Sequence, residues 1–164
     1  MDEVKRVLGQ VTERGREVNG LLNAIHLLLR MCEARLNEHA QLGSTPPEGA
    51  LRRLAQEISG LHMLLHGLGG VTRELAVASR AELVAARRRM PDRASEEVEQ
   101  TRVAYQNTLR ALDIAVATVD VVHDRCAQDL ERLQEAALRK DVSAEVRDEL
   151  GRLLSRMARP PRNE

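Results

Sequence analysis

The sequence predicts an all-α protein: an elongated, up-down-up antiparallel three-helix bundle with coiled-coil-like packing and a short C-terminal fourth helix. Two observations support this prediction. The chain has no Phe, no Trp and a single Tyr, Tyr105. Its aliphatic residues recur at heptad spacing, which is typical of coiled-coil-like packing. Long helices lying side by side enclose thin layers, and Leu or Val fills such a layer without an aromatic ring.

The first segment predicts a helix that ends near Gly43. This glycine follows Leu42 at the position where a left-handed residue commonly closes a helix. Two columns of residues, each repeating every seven positions, form the expected contact seam of this helix. The first column is Leu8, Gly15, Leu22, Leu29 and Leu36, and the second is Val11, Val18, Ile25, Cys32 and His39.

The second helix is expected to start at a capping box. Thr45 would be its N-cap, Pro46 its first helical residue, and Glu48 the residue that reaches back to the N-cap. Apolar residues follow the heptad pattern from Leu51 to Leu75, after which the pattern loses register. The Gly69-Gly70 pair leaves two alternatives, a continuous helix or a kink, because each glycine costs about 1 kcal/mol relative to Ala.

The third helix is expected to follow Met90-Pro91-Asp92, with Asp92 or Ser95 as its N-cap. Ser143 is the expected N-cap of the short fourth helix. The heptad columns of the third helix are Leu109, Val116, His123, Leu130 and Ala137, and Val98, Tyr105, Leu112, Val119, Cys126 and Leu133. The apolar side of the fourth helix comprises Val146, Leu150, Leu153, Leu154 and Met157.

Length and charge predict a single domain and argue against a nucleic-acid-binding or membrane-spanning protein. A chain of 164 residues is expected to form one helical-bundle domain over residues 1–158, with a disordered tail at 159–164. Its 25 basic and 25 acidic residues balance, which argues against a nucleic-acid partner, because such partners are bound largely through phosphate neutralisation. The longest uncharged stretch, Ile58–Thr72, is shorter than the ~20 residues of a membrane span. With no apolar leader and no disulfide framework, a cytoplasmic protein is predicted.

Two Cys and two His are expected to meet at one level of this bundle. His123 and Cys126 lie three residues apart on the third helix, and Cys32 lies at a similar height on the parallel first helix. Counting back along the antiparallel second helix brings His62 to that level. Such a set matches a tetrahedral zinc site, so zinc is the single candidate cofactor. The alternatives are a redox-sensitive contact between the two thiols, or ordinary core residues.

The run His66-Gly67-Leu68-Gly69-Gly70 resembles the His-x-Leu-Lys-Gly motif of histidine phosphotransfer domains, which are four-helix bundles. The resemblance covers five residues, and Gly69 stands where the family has Lys. It implies that His66 is an exposed phosphoacceptor, with small neighbours that let a receiver domain approach. A signalling module of this kind is therefore one alternative function, beside a metal- or redox-sensitive bundle.

The function favoured by the sequence is non-enzymatic: an interaction or adaptor protein that binds a helical protein or itself. No combination of acid, base and pocket residues indicates an enzyme. Apolar residues that flank the heptad seams would form the recognition surface, in the helix-to-helix mode. The residues expected on this surface are Leu21, Leu28, Leu64, Val146, Leu150 and Leu153.

Overall fold

The computed structural model describes residues 1–92 and 95–157, and these form four α-helices with no strand. Helix α1 is Asp2–Gln41, α2 is Glu48–Arg87, α3 is Glu96–Arg139 and α4 is Ala144–Met157. The predicted all-α class is therefore confirmed. The tail expected at 159–164, and the last residue of the expected 1–158 domain, lie outside the described residues, so the domain boundaries remain a prediction.

The chain divides into two compact units. Unit 1 comprises Met1–Ala24 and Gly69–Asp120, and unit 2 comprises Ile25–Leu68 and the described part of Val121–Glu164. Unit 1 thus holds the beginnings of α1 and α3 and the end of α2. Unit 2 holds the remainder of these helices together with α4. No helix within the described ranges is long and apolar enough to cross a membrane.

Helix α1 ends as the sequence predicts. Gly43 has a φ of 73°, a left-handed conformation that glycine adopts at little cost, and that ends many helices. The column from Val11 to His39 is buried at every position, whereas the column from Leu8 to Leu36 is half-buried. In α3 the column from Val98 to Leu133 is likewise buried throughout. Seven-residue spacing therefore identified the inner faces of α1 and α3.

The predicted capping box of α2 is wrong. The Leu51 backbone N–H donates to the carbonyl of Pro47 at 3.1 Å, so Pro47 is the residue that precedes the helix. Pro46 cannot be helical, because a residue before proline is pushed into extended conformations. Glu48 also turns away from Thr45, and its Oε1 accepts a hydrogen bond from the Ser143 backbone N–H at 2.9 Å. This bond holds the pKa of the Glu48 carboxyl below its usual range.

Helix α2 is continuous through Gly69-Gly70, and its inner face does not lose register. Beyond Leu65 the buried positions still follow each other by three or four residues. Most of them are too small or too polar to register as an apolar repeat in the sequence. These positions are Gly69, Thr72, Ala76, Ser79, Leu83 and Ala86.

Serine caps both later helices. Ser95 Oγ accepts from the Val98 backbone N–H at 3.3 Å, and Ser143 Oγ accepts from the Val146 N–H at 3.4 Å. Ser143 also joins α4 to the start of α2 through Glu48. The predicted cap of α4 is therefore confirmed, and Ser95 rather than Asp92 caps α3.

We expect Ser143→Ala to lower the free energy of unfolding by about 1 kcal/mol, because the variant loses the side-chain acceptor of an N-cap. Urea unfolding followed by circular dichroism measures the change. Ser155→Ala is the matched control: Ser155 is exposed inside α4 and its hydroxyl donates to the Gly151 carbonyl. Equal losses from both substitutions would contradict the capping role.

Unit 1 has an aliphatic core that contains one aromatic ring, that of Tyr105. Its buried residues come from all three helix segments, and half-buried residues such as Leu22 and Leu109 pack around them. Ion pairs join the segments at the surface: Arg14 with Glu82, and Arg80 with Asp113. Such exposed pairs contribute little each, so apolar burial holds the unit together. The buried residues are Val11, Val18, Ala76, Leu83, Tyr105, Leu112 and Ala115.

The described residues of unit 2 include two apolar clusters. One surrounds Cys32, Ile58 and Leu133 and includes Leu154 and Met157 of α4. The other packs α4 against the start of α2. Its buried members are Leu51, Ala55, Val146 and Leu150. Helix α4 is thus an integral part of the unit 2 core.

Candidate functional site

Three buried polar side chains meet in unit 2, one from each long helix. Cys32 of α1, His62 of α2 and Asp129 of α3 are 1%, 2% and 2% exposed. Their ligand atoms, a thiol sulfur, an imidazole nitrogen and a carboxylate oxygen, all lie within 4.8 Å of one another. A thiol, an imidazole and a carboxylate together form a donor set suited to a transition metal.

The heptad pattern explains why these residues point inward. Cys32 continues the buried column that begins at Val11 in α1. Asp129 follows Ala115 and Val122 at intervals of seven in α3, and all three are buried. The apolar heptad pattern does not predict Asp129, because it favours the adjacent column, from Leu109 to Ala137, as part of the seam. The seven-residue spacing from Ala115 was the available signal.

Burial leaves one polar atom of this group without a hydrogen-bond partner and shifts the pKa values of its imidazole and carboxyl groups. His62 Nε2 is buried and has no hydrogen-bond partner in the described part of the chain. Burial lowers the pKa of His62 to about 4, with a smaller contribution from His66 nearby, so the imidazole is neutral at pH 7. Burial also raises the pKa of the Asp129 carboxyl above its usual range, although Arg125 and Arg132 oppose the shift.

Both cysteines are free and buried. Burial raises the pKa of the Cys32 thiol to about 12, with a further contribution from the charge of Asp129. The pKa of Cys126 is raised to about 11 for the same two reasons. Thiols rather than thiolates therefore prevail at pH 7, and neutral buried thiols react slowly with oxidants. This chemistry does not favour the redox-sensitive alternative.

The other predicted ligands lie beside the group and outside it. His62, Cys126 and His123 line one cleft of about 340 Å³ in unit 2, together with His66. Of the predicted ligands Cys32, His62, His123 and Cys126, the first two lie in the group with Asp129, and the four-residue set stays a prediction. The buried Nε2 of His123 has no hydrogen-bond partner among the described residues.

His66 is not the fully exposed side chain that the phosphotransfer resemblance implies. It is half-buried, and its ring centroid lies 5.1 Å from that of His123. Burial, followed by the charge of His123, lowers its pKa. The implied exposure of His66 is therefore wrong, because the helix turns this imidazole toward α3, whereas its role as a phosphoacceptor stays a prediction.

Two of the six residues predicted to form an interaction surface are buried. Val146 and Leu150 are buried in the unit 2 core, because α4 needs its apolar stripe to pack against α2. Leu153 packs partly against that same cluster, and Leu28 against the cluster around Cys32. Leu21 is half-buried. Of the predicted residues, Leu64 is the one that is exposed.

Helix α2 has an exposed apolar face that the sequence analysis did not identify. In unit 1 this α2 outer face covers four turns, and Glu74 is the charged residue within it. In unit 2 the exposed side of the same helix carries Met63 and Leu64. Both sides of α2 are apolar, so hydrophobic periodicity alone could not separate them. The α2 outer face consists of Val71, Val77, Ala78, Ala81, Val84 and Ala85.

No family model, curated protein or solved structure matches this chain.

Proposed function

We propose that this protein is a non-enzymatic helical interaction protein that self-associates through the α2 outer face. The observation that supports this most directly is the exposure of Val71, Val77 and Val84 on one side of one helix. Exposed apolar residues scattered singly need no explanation, but a contiguous apolar stripe is typical of a protein contact surface. Helical partners bind such stripes through side chains spaced three, four and seven residues apart.

The composition of the face suits a close helix-to-helix contact. Ala78, Ala81 and Ala85 are small, so a partner helix can approach the backbone closely between the valines. The valines are about half exposed, so covering each would contribute about 1 kcal/mol. Two copies of the face would bury six such valines, and Glu74 can remain solvated at a rim. A symmetric dimer is the simplest assembly that satisfies one self-complementary face.

We further propose the up-down-up bundle as the scaffold of this face. In unit 1, Arg89, two residues after the end of α2, pairs with Glu3 of α1, and Glu82 of α2 pairs with Arg14 further along α1. Such pairs suit antiparallel neighbours, since residue numbers rise in one helix and fall in the other. Two unpaired buried thiols are consistent with a reducing compartment, and we place the protein in the cytoplasm.

We expect Val77→Glu to shift the protein from a larger assembly toward the monomer, because it would bury a charge in the contact. Sedimentation velocity over a range of concentrations measures the shift. Val103→Glu is the matched control: Val103 is 49% exposed on α3 of unit 1 and Val77 is 48% exposed, but Val103 lies off the face. A concentration-independent monomer mass for the unaltered chain, or dissociation by both variants alike, would overturn the proposal.

A further inference from the structure

The group formed by Cys32, His62 and Asp129 is costly for a metal-free protein. Asp129 is 2% exposed, and burying a carboxylate is costly unless a cation or hydrogen-bond donors accompany it. His62 is likewise 2% exposed, and its Nε2 has no hydrogen-bond partner among the described residues. Each group alone would lower stability, and one bound cation would satisfy both. This cost does not depend on the α2 outer face, which lies in unit 1.

We propose that Cys32, His62 and Asp129 bind one divalent transition-metal ion of the zinc class. Sulfur, imidazole nitrogen and carboxylate oxygen are the three donor types that zinc takes in proteins. Hard cations such as magnesium and calcium prefer all-oxygen sites, so a thiol and an imidazole disfavour them. The three ligands come from α1, α2 and α3, so the ion would tie the three helix segments of unit 2 together.

The distances fit this assignment. Donor atoms around a tetrahedral zinc ion lie about 3.5 Å apart, and the three atoms here already lie within 4.8 Å of one another. Closing that difference takes side-chain movements of about 1 Å, well within the reach of rotamer adjustment. The cleft of about 340 Å³ that His62 lines provides access for the ion.

Charge balance favours a single thiolate in the site, and geometry assigns it to Cys32. A divalent ion bound by the Cys32 thiolate, the Asp129 carboxylate and neutral His62 has no net charge, which a buried site tolerates. Binding therefore releases the proton of the Cys32 thiol, while Cys126 remains a neutral thiol outside the ligand set. A neutral donor such as water from the cleft would take the fourth position.

Metal titration of the full-length chain tests the proposal. Protein stripped with a chelator is titrated with Zn²⁺ against a chromophoric competitor, and with Co²⁺ while visible absorption is recorded. We expect one equivalent of each metal to bind, a thiolate-to-cobalt charge-transfer band, and a higher melting temperature with Zn²⁺. The absence of Zn²⁺ binding, or Co²⁺ binding without a thiolate band, would overturn the assignment.

Matched variants identify the ligands. Cys32→Ser and Asp129→Asn should each weaken Zn²⁺ binding by about 100-fold or more. Cys126→Ser, equally buried, and Asp124→Asn, exposed on the same helix, should each change the affinity less than about 10-fold. Loss of binding in Cys126→Ser as large as that in Cys32→Ser would overturn the three-ligand set.

Stability of the metal-free variants guards against a folding artefact. If Asp129 is held for a metal, Asp129→Asn should melt at a higher temperature than the unaltered metal-free chain, because it removes a buried charge. Its melting temperature should then no longer rise when Zn²⁺ is added. Retention of the zinc-dependent rise in folded Asp129→Asn protein would contradict the proposal.

Discussion

Leu83→Ala is expected to lower the free energy of unfolding by about 3 to 4 kcal/mol. Leu83 is 1% exposed in the unit 1 core, where the other buried residues that α2 contributes are small. The substitution removes the largest side chain from that stretch. Neighbours such as Val11 and Leu112 come from separate helices, and a closely packed core closes only partly around the void that the substitution leaves. Thermal and urea unfolding measure the loss.

Leu64→Ala is the control for this substitution. Leu64 lies on the same helix but is 55% exposed. Leu and Ala have similar helix propensities, so both substitutions leave the local helix about equally stable. The control should change the free energy of unfolding by less than about 0.5 kcal/mol. Similar losses from the two variants would show that the aliphatic core of unit 1 is not packed as described.

Lys140→Met is expected to lower the free energy of unfolding by about 2 kcal/mol. Lys140 is 7% exposed, and its Nζ donates to the carbonyls of Gly43 at 3.1 Å and His39 at 3.4 Å. Both carbonyls lie at the C-terminal end of α1. Lys140, which directly follows α3, therefore caps the end of a different helix. Methionine has a similar length and no donor, and would leave both carbonyls without this partner.

The same substitution should alter the response to acid. Burial lowers the pKa of His39, and the charge of Lys140 lowers it further. A histidine with a lowered folded pKa contributes stability that is fully present above its unfolded pKa of about 6.5 and is lost as the pH falls through the folded pKa. Replacing Lys140 raises the folded pKa toward the unfolded one, so His39 should contribute a smaller loss on acidification.

Urea unfolding of both proteins at a series of pH values from neutral to acidic measures this effect. Lys5→Met is the control, since Lys5 and Lys140 are the two lysines of the chain. Lys5 is exposed and pairs with Glu97 at the surface of unit 1. It should alter stability little, because exposed ion pairs contribute little. A steeper acid dependence in Lys140→Met than in the unaltered chain would contradict the proximity of Lys140 and His39.

The sequence correctly predicted the structural roles of residues that act on their near neighbours in the chain. Gly43 ends α1 because a glycine adopts a left-handed conformation at little cost, and Ser143 caps α4 because its hydroxyl reaches its own first turn. The buried columns beginning at Val11 and Val98 follow from the helical repeat alone. In each case the neighbours that decide the outcome lie within a few residues or recur at fixed spacing.

The predicted capping box at Thr45 is wrong even though it involves only four consecutive residues. Each residue there suits its expected position taken singly, but Pro47 forbids a helical Pro46. Glu48 then finds its partner in Ser143, far along the chain. Sequence spacing could not predict this partner, because Ser143 lies next to Glu48 only when α4 packs against α2.

In unit 2, too, sequence spacing predicted some of the buried polar side chains, and tertiary packing decided the others. Heptad spacing placed Cys32 on an inner face. On α3 the seven-residue spacing runs through the column of Asp129 and through that of His123 alike, so it signals both without choosing between them. Rotation of α3 about its axis decided that Asp129 enters the core while His123 faces a cleft with His66. Packing likewise buried Val146 and Leu150 and left Val77 exposed. Periodicity thus determined the helices and most of their inner faces, whereas burial of polar groups and the identity of the open face were decided by tertiary contacts, because these depend on which helices are neighbours.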